Sequence, residues 1–171
     1  MKRSARIVVF RLAAAGLFLA AYPCAALSTE ERIDVSRVVD KAAAEAVLGE
    51  AVKNPAPRNM HGVDGYYSKC NYYSASSGKA LVLRVYQAAP GFNAEKELEA
   101  VKASTGPSKV VSGLGDKAQV HSGAESGLPG NVLMLYVIKG NSLITVGVAG
   151  LDQDVALEKT KSVAQRILAK L

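Results

Sequence analysis

Residues 110–120 carry the spacing in this chain that most resembles a nucleotide site. They read VVSGLGDKAQV, in which Gly113 and Gly115 begin G-x-G-x-x-A, a spelling of the dinucleotide-binding fingerprint. That chemistry requires a helix directly after the glycines and an acidic residue about 20 positions later. The next residues, QVHSGAESGLPG, do not favour a helix, and positions 132–138 read VLMLYVI. We therefore predict a turn or bulge between strands, with Asp116 bonding nearby backbone, and no nucleotide cofactor.

A second catalytic spelling lies at Ser76–Lys79, which reads SSGK and matches S-x-x-K. In penicillin-binding enzymes this motif places the serine nucleophile at the start of a helix, with S-D-N and K-T-G elsewhere in the chain. Neither companion motif occurs here, and the segments on both sides alternate in polarity as strands do. The pattern predicts a polar hairpin tip.

Cys70 could act as a thiolate nucleophile beside His61 or His121. The same three side chains and Asp64 are the candidates for binding a metal, but no two of them stand at i, i+2 or i, i+4. The segment YSKCNYY alternates like a strand, which favours burial of Cys70 on the inner face of a sheet. We therefore expect no metal and no catalytic residues, and a thiol-dependent enzyme is the alternative.

Four tyrosines crowd into eight residues at Tyr66, Tyr67, Tyr72 and Tyr73. At this density tyrosines can form a patch that binds a peptide, a glycan or an aromatic ligand. Alternating tyrosines also simply cover the faces of a sheet, and the chain has no tryptophan for a glycan platform. We predict these four as ligand-binding residues, together with the loop over residues 50–65.

The first 26 residues predict export. A basic head precedes the ten apolar residues Leu12–Ala21, whereas a membrane-spanning helix needs about 20. Small residues at the end of this segment predict cleavage after Ala26 by a signal peptidase. Lipidation of Cys24 and an uncleaved anchor over Ile7–Leu27 are the alternatives. We expect a periplasmic or secreted protein that touches the membrane only through an uncleaved or lipidated N-terminus.

The remaining residues, 27–171, are enough for a single domain. Four of the 21 basic residues and none of the fifteen acidic ones lie before residue 27, so the formal net charge falls from +6 to +2. No basic run remains that could neutralise phosphates, so we expect no nucleic-acid partner. Oligomeric state is open.

Hydrophobic periodicity predicts an α+β fold in the order α-β-β-α-β-β-β-α. Asp40, Asn93 and Asp152 are placed to cap the three helices. Hairpins with turns at 76–79 and at Gly140-Asn141 indicate an antiparallel sheet of about five strands with the helices on one face. The predicted helices cover residues 41–48, 94–104 and 153–170, and the predicted strands cover 66–75, 80–88, 118–121, 131–139 and 143–148, with an exposed loop at 122–130.

The strings VVDKAAAEAVLGEAV, CNYY and VSGLGDKA together resemble a group of uncharacterised bacterial envelope domains, secreted or lipid-anchored and common among actinobacterial lipoproteins. Leu48-Gly49 matches the helix end of that pattern, Cys70-Asn71-Tyr72 its strand, and Gly113–Ala118 its later turn. Many relatives carry a second cysteine before the first helix as a disulfide partner. Ser36 stands in that neighbourhood here, and the resemblance implies no activity.

These observations favour an exported, non-catalytic domain of the cell envelope. We expect it to bind a partner protein of the envelope or a small ligand. A thiol-dependent enzyme using Cys70 with His61 or His121 and a structural subunit of an envelope assembly are the alternatives.

Overall fold

The structure, a computed structural model, describes residues 31–105, 107–124 and 131–171. The predicted signal peptide and positions 125–130 of the predicted exposed loop lie outside these residues. The elements in chain order are α1 (Val35–Val38), α2 (Lys41–Leu48), β1 (Arg58–His61), β2 (Gly65–Tyr73), β3 (Ala80–Ala88), α3 (Ala94–Thr105), β4 (Lys109–Val110), β5 (Lys117–Ala124), β6 (Asn131–Lys139), β7 (Ser142–Ala149) and α4 (Gln153–Leu168).

The described strands form one seven-stranded sheet in the order β1-β2-β3-β7-β6-β5-β4, with every neighbouring pair antiparallel. The predicted α+β class is confirmed, but the counts of about five strands and three helices are both too low, since the four-residue helix α1 was not predicted. The two missed strands are the sheet edges, β1 with four residues and β4 with two. Both are too short to show a period-two pattern, so the sequence gives no strand signal there.

Helices pack on both faces of the sheet, so the prediction that all helices share one face is wrong. Helices α1, α2 and α4 cover one face, which we call the packed face; its core includes Leu83, Val146 and Ile167. Helix α3 lies on the other, which we call the open face, where Leu98 joins a smaller cluster. The periodicity of α3 marks its apolar side but does not say which sheet face that side meets. No helix in the described part is both long and apolar enough to cross a membrane.

The predicted helix at residues 41–48 is confirmed with its bounds. Asp40 accepts a hydrogen bond from the Ala43 amide at 2.8 Å, and the helix ends at Gly49 with φ +73°. Asn93 similarly accepts from the Glu95 amide at 2.7 Å at the start of α3. Helix α4 starts as predicted after Asp152, although that side chain makes no capping hydrogen bond.

The glycine motif forms a turn between β4 and β5, as predicted. Gly113 and Gly115 have φ of +79° and +57°, and β5 begins two residues later, where a nucleotide site would need a helix. A Cβ on Gly115 would lie 2.3 Å from the Ile138 carbonyl oxygen. Asp116 accepts from the Gly140 amide at 2.7 Å and from Lys139 Nζ at 3.0 Å, and these bonds lower the pKa of its carboxyl.

Candidate ligand-binding groove

A groove of about 890 Å³ lies on the open face of the sheet, between α3 and residues 53–60. Strands β2, β3, β6 and β7 form its floor. This volume lies within the range of about 300–1,000 Å³ that is usual for small-molecule sites. The described lining residues include Lys53, Arg58, Met60, Tyr67, Lys69, Asn71, Tyr73, Arg84, Tyr86, Glu97, Val101, Tyr136, Leu143 and Thr145.

The α3 wall is fixed by the turn between β6 and β7. Asn141 in this turn accepts a hydrogen bond from the Ala94 amide at 3.2 Å, at the first residue of α3. Its Nδ2 donates to the carbonyls of Ala88 at 3.2 Å and Phe92 at 3.1 Å. Lys117 on β5 lies 3.8 Å from two glutamates of the helix. One side-chain amide therefore links the start of α3 to two strands of the floor.

The opposite wall is held by backbone pairing along β2. The Lys53 amide donates to the Tyr73 carbonyl at 2.9 Å, and β1 then runs antiparallel to β2. This register sets Arg58 opposite Lys69 and Met60 opposite Tyr67 on the open face. The wall thus contributes two cations, Lys53 and Arg58, and one large apolar side chain, Met60, to the groove.

One end of the groove is aromatic. The rings of Tyr67 and Tyr86 stack with centroids 4.6 Å apart and an interplanar angle of 20°. Asp64 anchors both hydroxyls: Tyr67 donates to its carboxylate, and Tyr86 donates to its carbonyl at 2.9 Å. Burial raises the pKa of both tyrosines, so both are neutral at physiological pH. Met60, 60% exposed, adds apolar surface at this end, and Leu143, 4% exposed, lines the groove beneath it.

A cationic row crosses the middle of the groove. The strand register sets Arg58, Lys69 and Arg84 directly opposite one another on β1, β2 and β3, and Thr145 on β7 follows. Directly opposed residues of antiparallel strands have Cα atoms about 4.5–5.5 Å apart. None of these three cations forms an ion pair with another described residue. Like charges at opposed positions destabilise a sheet, so this row is unfavourable for the ligand-free fold.

Arg84 occupies an unusual position within that row. It lies on β3, which has β2 on one side and β7 on the other, and it is the single exposed residue of this strand. Its chain neighbours Leu83 and Val85 are buried on the packed face. A polar row beside it continues the groove: Asn71 donates to the Tyr73 hydroxyl at 3.0 Å.

The structure does not bring the four predicted tyrosines together. Tyr67 and Tyr73 line the groove, whereas Tyr66 and Tyr72 project from the opposite face of the same strand. Tyr72 is 1% exposed and donates to the Val39 carbonyl, and Tyr66 lies against the His61 ring at 5.0 Å. Ligand binding by these residues stays a prediction, and the groove offers only Tyr67 and Tyr73 for it.

Cys70 lies on the packed face, fully buried, away from both histidines. His121 is on β5, four strand steps or roughly 19 Å across the sheet from β2. His61 pairs with Tyr66, roughly 13 Å along the strand from Cys70. Burial raises the pKa of the Cys70 thiol. Among the residues described, no three metal-binding side chains cluster.

The cationic row is not visible in the sequence. Arg58, Lys69 and Arg84 are separated along the chain, and only the register of three strands sets them side by side. The alternation of residues 81–86 puts Arg84 on the same face as Val82 and Tyr86, and this is the one available signal. The strand that carries Arg58 was not recognised.

Searches against protein-family models, curated proteins and solved structures find nothing that matches this chain. The resemblance to bacterial envelope domains therefore stays a prediction.

Proposed function

We propose that this chain is an exported, non-catalytic binding domain of the bacterial cell envelope that holds a small ligand in the groove. The observation that carries the proposal is a concavity of about 890 Å³ lined by tyrosines, apolar side chains and converging polar groups. The N-terminal export pattern and the resemblance stated above support the location.

The groove suits the binding of a ligand rather than catalysis. Its floor is formed by strands, so its side chains have fixed positions, and the Asp64 anchor holds Tyr67 and Tyr86 in place. The buried thiol of Cys70 belongs to the other face of β2, where a ligand in the groove does not reach it. The contacts that the groove offers are ring faces, hydroxyls, an amide and cations.

The concave shape favours a small ligand over a partner protein. A stable protein interface usually buries about 800 Å² on each partner and needs a surface that the partner can cover. Here α3 and residues 53–60 rise on either side of the floor and enclose it. A compact ligand can bury most of its surface between these walls.

The test uses N-phenyl-naphthylamine, a neutral aromatic probe whose fluorescence rises in apolar sites. We expect saturable binding of one probe per chain, with amide NMR shifts at floor residues such as Thr145 and none in α4, which lies on the packed face. Met60→Ser should weaken binding about fourfold or more, because each buried methylene contributes roughly 0.8 kcal/mol. Val63→Ser is the matched control, since Val63 is 93% exposed in the adjacent turn and does not line the groove.

Two outcomes would overturn this proposal. One is a probe that binds with equal affinity to wild type and Met60→Ser, or that shifts packed-face amides only. The other is a stable oligomer in sedimentation experiments that excludes the probe from the tyrosine face, which would favour a structural subunit.

A further inference from the structure

The distribution of charge in the groove says more about the class of ligand than the volume of the groove does. Four cationic side chains line it in the described part, Lys53, Arg58, Lys69 and Arg84, against one carboxylate, that of Glu97 on α3. The chain after residue 26 has a formal net charge of only +2. The groove therefore concentrates positive charge that the chain as a whole does not have.

The position of Arg84 argues against a chance cluster of cations in the groove. Arg84 lies on the face of an interior strand, and its charge stays exposed to water only because the groove is open above it. Its opposed neighbour Lys69 repels it, and no described carboxylate lies within ion-pair distance of either. A ligand anion would convert this repulsion into charge-assisted hydrogen bonds, which the planar guanidinium of Arg84 can make in pairs.

The apolar end of the groove lies next to the cationic row and indicates what the rest of the ligand should be. The stacked Tyr67 and Tyr86 lie two residues along each strand from Lys69 and Arg84, on the same face, with Met60 and Leu143 beside them. Glu97 lines the groove from the helix wall and would repel a negative group placed there. A ligand with an apolar body and one anionic group therefore has a single favoured orientation.

We propose that the groove binds a soluble amphipathic anion, an aromatic or aliphatic body with one compact anionic group, whose charge is held by Arg84, Lys69 and Arg58. The apolar body lies against Tyr67, Tyr86 and Leu143. This inference rests on the proposed function, because it names the class of ligand for the same groove.

The experiment compares two probes with the same ring system, anilinonaphthalene sulfonate and neutral N-phenyl-naphthylamine. We expect wild type to bind the sulfonate at least about tenfold more tightly than the neutral probe. Arg84→Met should lower the affinity for the sulfonate about tenfold and leave that for the neutral probe within about twofold, since a charge-assisted bond is worth roughly 1.5–3 kcal/mol. Raising the NaCl concentration from about 50 mM to about 500 mM should weaken the binding of the sulfonate probe and leave that of the neutral probe unchanged.

Arg166→Met is the matched control. Arg166 is exposed on α4, on the other side of the sheet, so this variant makes the same change of net charge outside the groove. We expect it to bind both probes as wild type does. Lys69→Met provides a second variant in the row, with the same direction of effect as Arg84→Met.

The outcomes separate the two proposals. If the neutral probe fails to bind in the groove, the proposed function is wrong. If both probes bind equally tightly, or if Arg84→Met weakens both to the same degree, only the anion inference is wrong. Co-sedimentation with phosphatidylglycerol vesicles that is lost in Arg84→Met would overturn a soluble ligand in favour of a lipid headgroup.

Discussion

Leu83 and Arg84 are adjacent in β3, yet one is fully buried beneath helices and the other is exposed on the floor of the groove. The same contrast holds for Cys70 and Lys69 on β2 and for Tyr72 and Tyr73 at its end. On the packed face three helices enclose an apolar core, and on the open face one helix leaves a concavity lined with cations and tyrosines. The larger core and the proposed ligand contacts thus lie on alternate residues of the same strands.

This separation means that substitutions on the two faces should have different consequences. A change on the packed face should alter the free energy of unfolding, and the neighbouring change on the open face should alter binding. Four experiments test the contrast, each with a pair of adjacent positions or a matched condition.

The largest difference is expected in thiol reactivity. In the Lys69→Cys variant, made in a Cys24→Ser background so that Cys24 cannot react, one chain carries two adjacent thiols on opposite faces, the new one exposed and that of Cys70 buried. With Ellman's reagent at pH 8 we expect one thiol to react within seconds and the other more than about a thousandfold more slowly, because Cys70 reacts only when the structure opens. Two fast thiols would contradict the packed face and would reopen the thiol-enzyme alternative.

Next in size is the effect of removing a core side chain. Leu83→Ala should lower the free energy of unfolding by about 3 kcal/mol, because it removes apolar contacts and leaves a cavity. Arg84→Ala should change it by no more than about 0.5 kcal/mol. Urea denaturation followed by circular dichroism measures both, and equal losses in the two variants would show that the faces are not distinct in this way.

Removing the hydroxyls of the two tyrosines at the end of β2 should lower the free energy of unfolding by amounts that differ by about 1–2 kcal/mol. Tyr72→Phe removes a buried hydroxyl and leaves the Val39 carbonyl without its hydrogen bond. Tyr73→Phe removes only an exposed bond from Asn71, so its free energy of unfolding should stay within about 0.5 kcal/mol of wild type. The prediction fails if Tyr73→Phe is the more destabilised of the two.

The smallest expected effect is a gain in the stability of the ligand-free protein. Arg84→Met keeps the aliphatic stem and relieves the repulsion from Lys69, so the ligand-free protein should become more stable by a few tenths of a kcal/mol. The gain should disappear at about 1 M NaCl, where charges are screened within roughly 3 Å. Thermal unfolding at low and high salt measures it, and a loss at low salt would mean that Arg84 stabilises the fold.

Much of the fold follows from local signals. The helix at residues 41–48 has an acidic cap and a terminal glycine, and both act as their chemistry predicts. The glycine turn was predicted because the residues after it suit a strand, and β5 begins there. Such features need only neighbouring residues, which is why the sequence reveals them.

The register of the first hairpin shows what local signals miss. The predicted strand ends would set Ala75 opposite Ala80, but the structure pairs Tyr73 with Ala80. The Ser74 amide still donates to the Lys79 carbonyl at 3.0 Å, and its Oγ accepts from the amides of Ser76 and Ser77 at 3.0 and 2.8 Å, so the turn spans 74–79 rather than 76–79. This shift of two residues preserves the faces but changes every opposed pair, and it is what sets Lys69 opposite Arg84.

The candidate site depended further on long-range packing. The four-residue strand that carries Arg58 is defined only by its pairing with β2, and the side on which α3 packs is decided by Asn141 and by the cluster around Leu98. The tyrosine-rich segment was identified, but alternation sends half of its rings to each face. Neither the row nor the groove exists until these elements meet.

The shortness of the outer strands has a consequence for behaviour at high concentration. The edges of the sheet offer only two residues at β4 and four at β1, with Pro55 and Pro57 just before β1 and the charged Arg58 on it. Few backbone groups of these two strands are thus available for a strand from another molecule to join, whereas the end of β5 beyond Val120 is not covered by β4. At β1 and β4 the growth of fibrils should have to wait for unfolding.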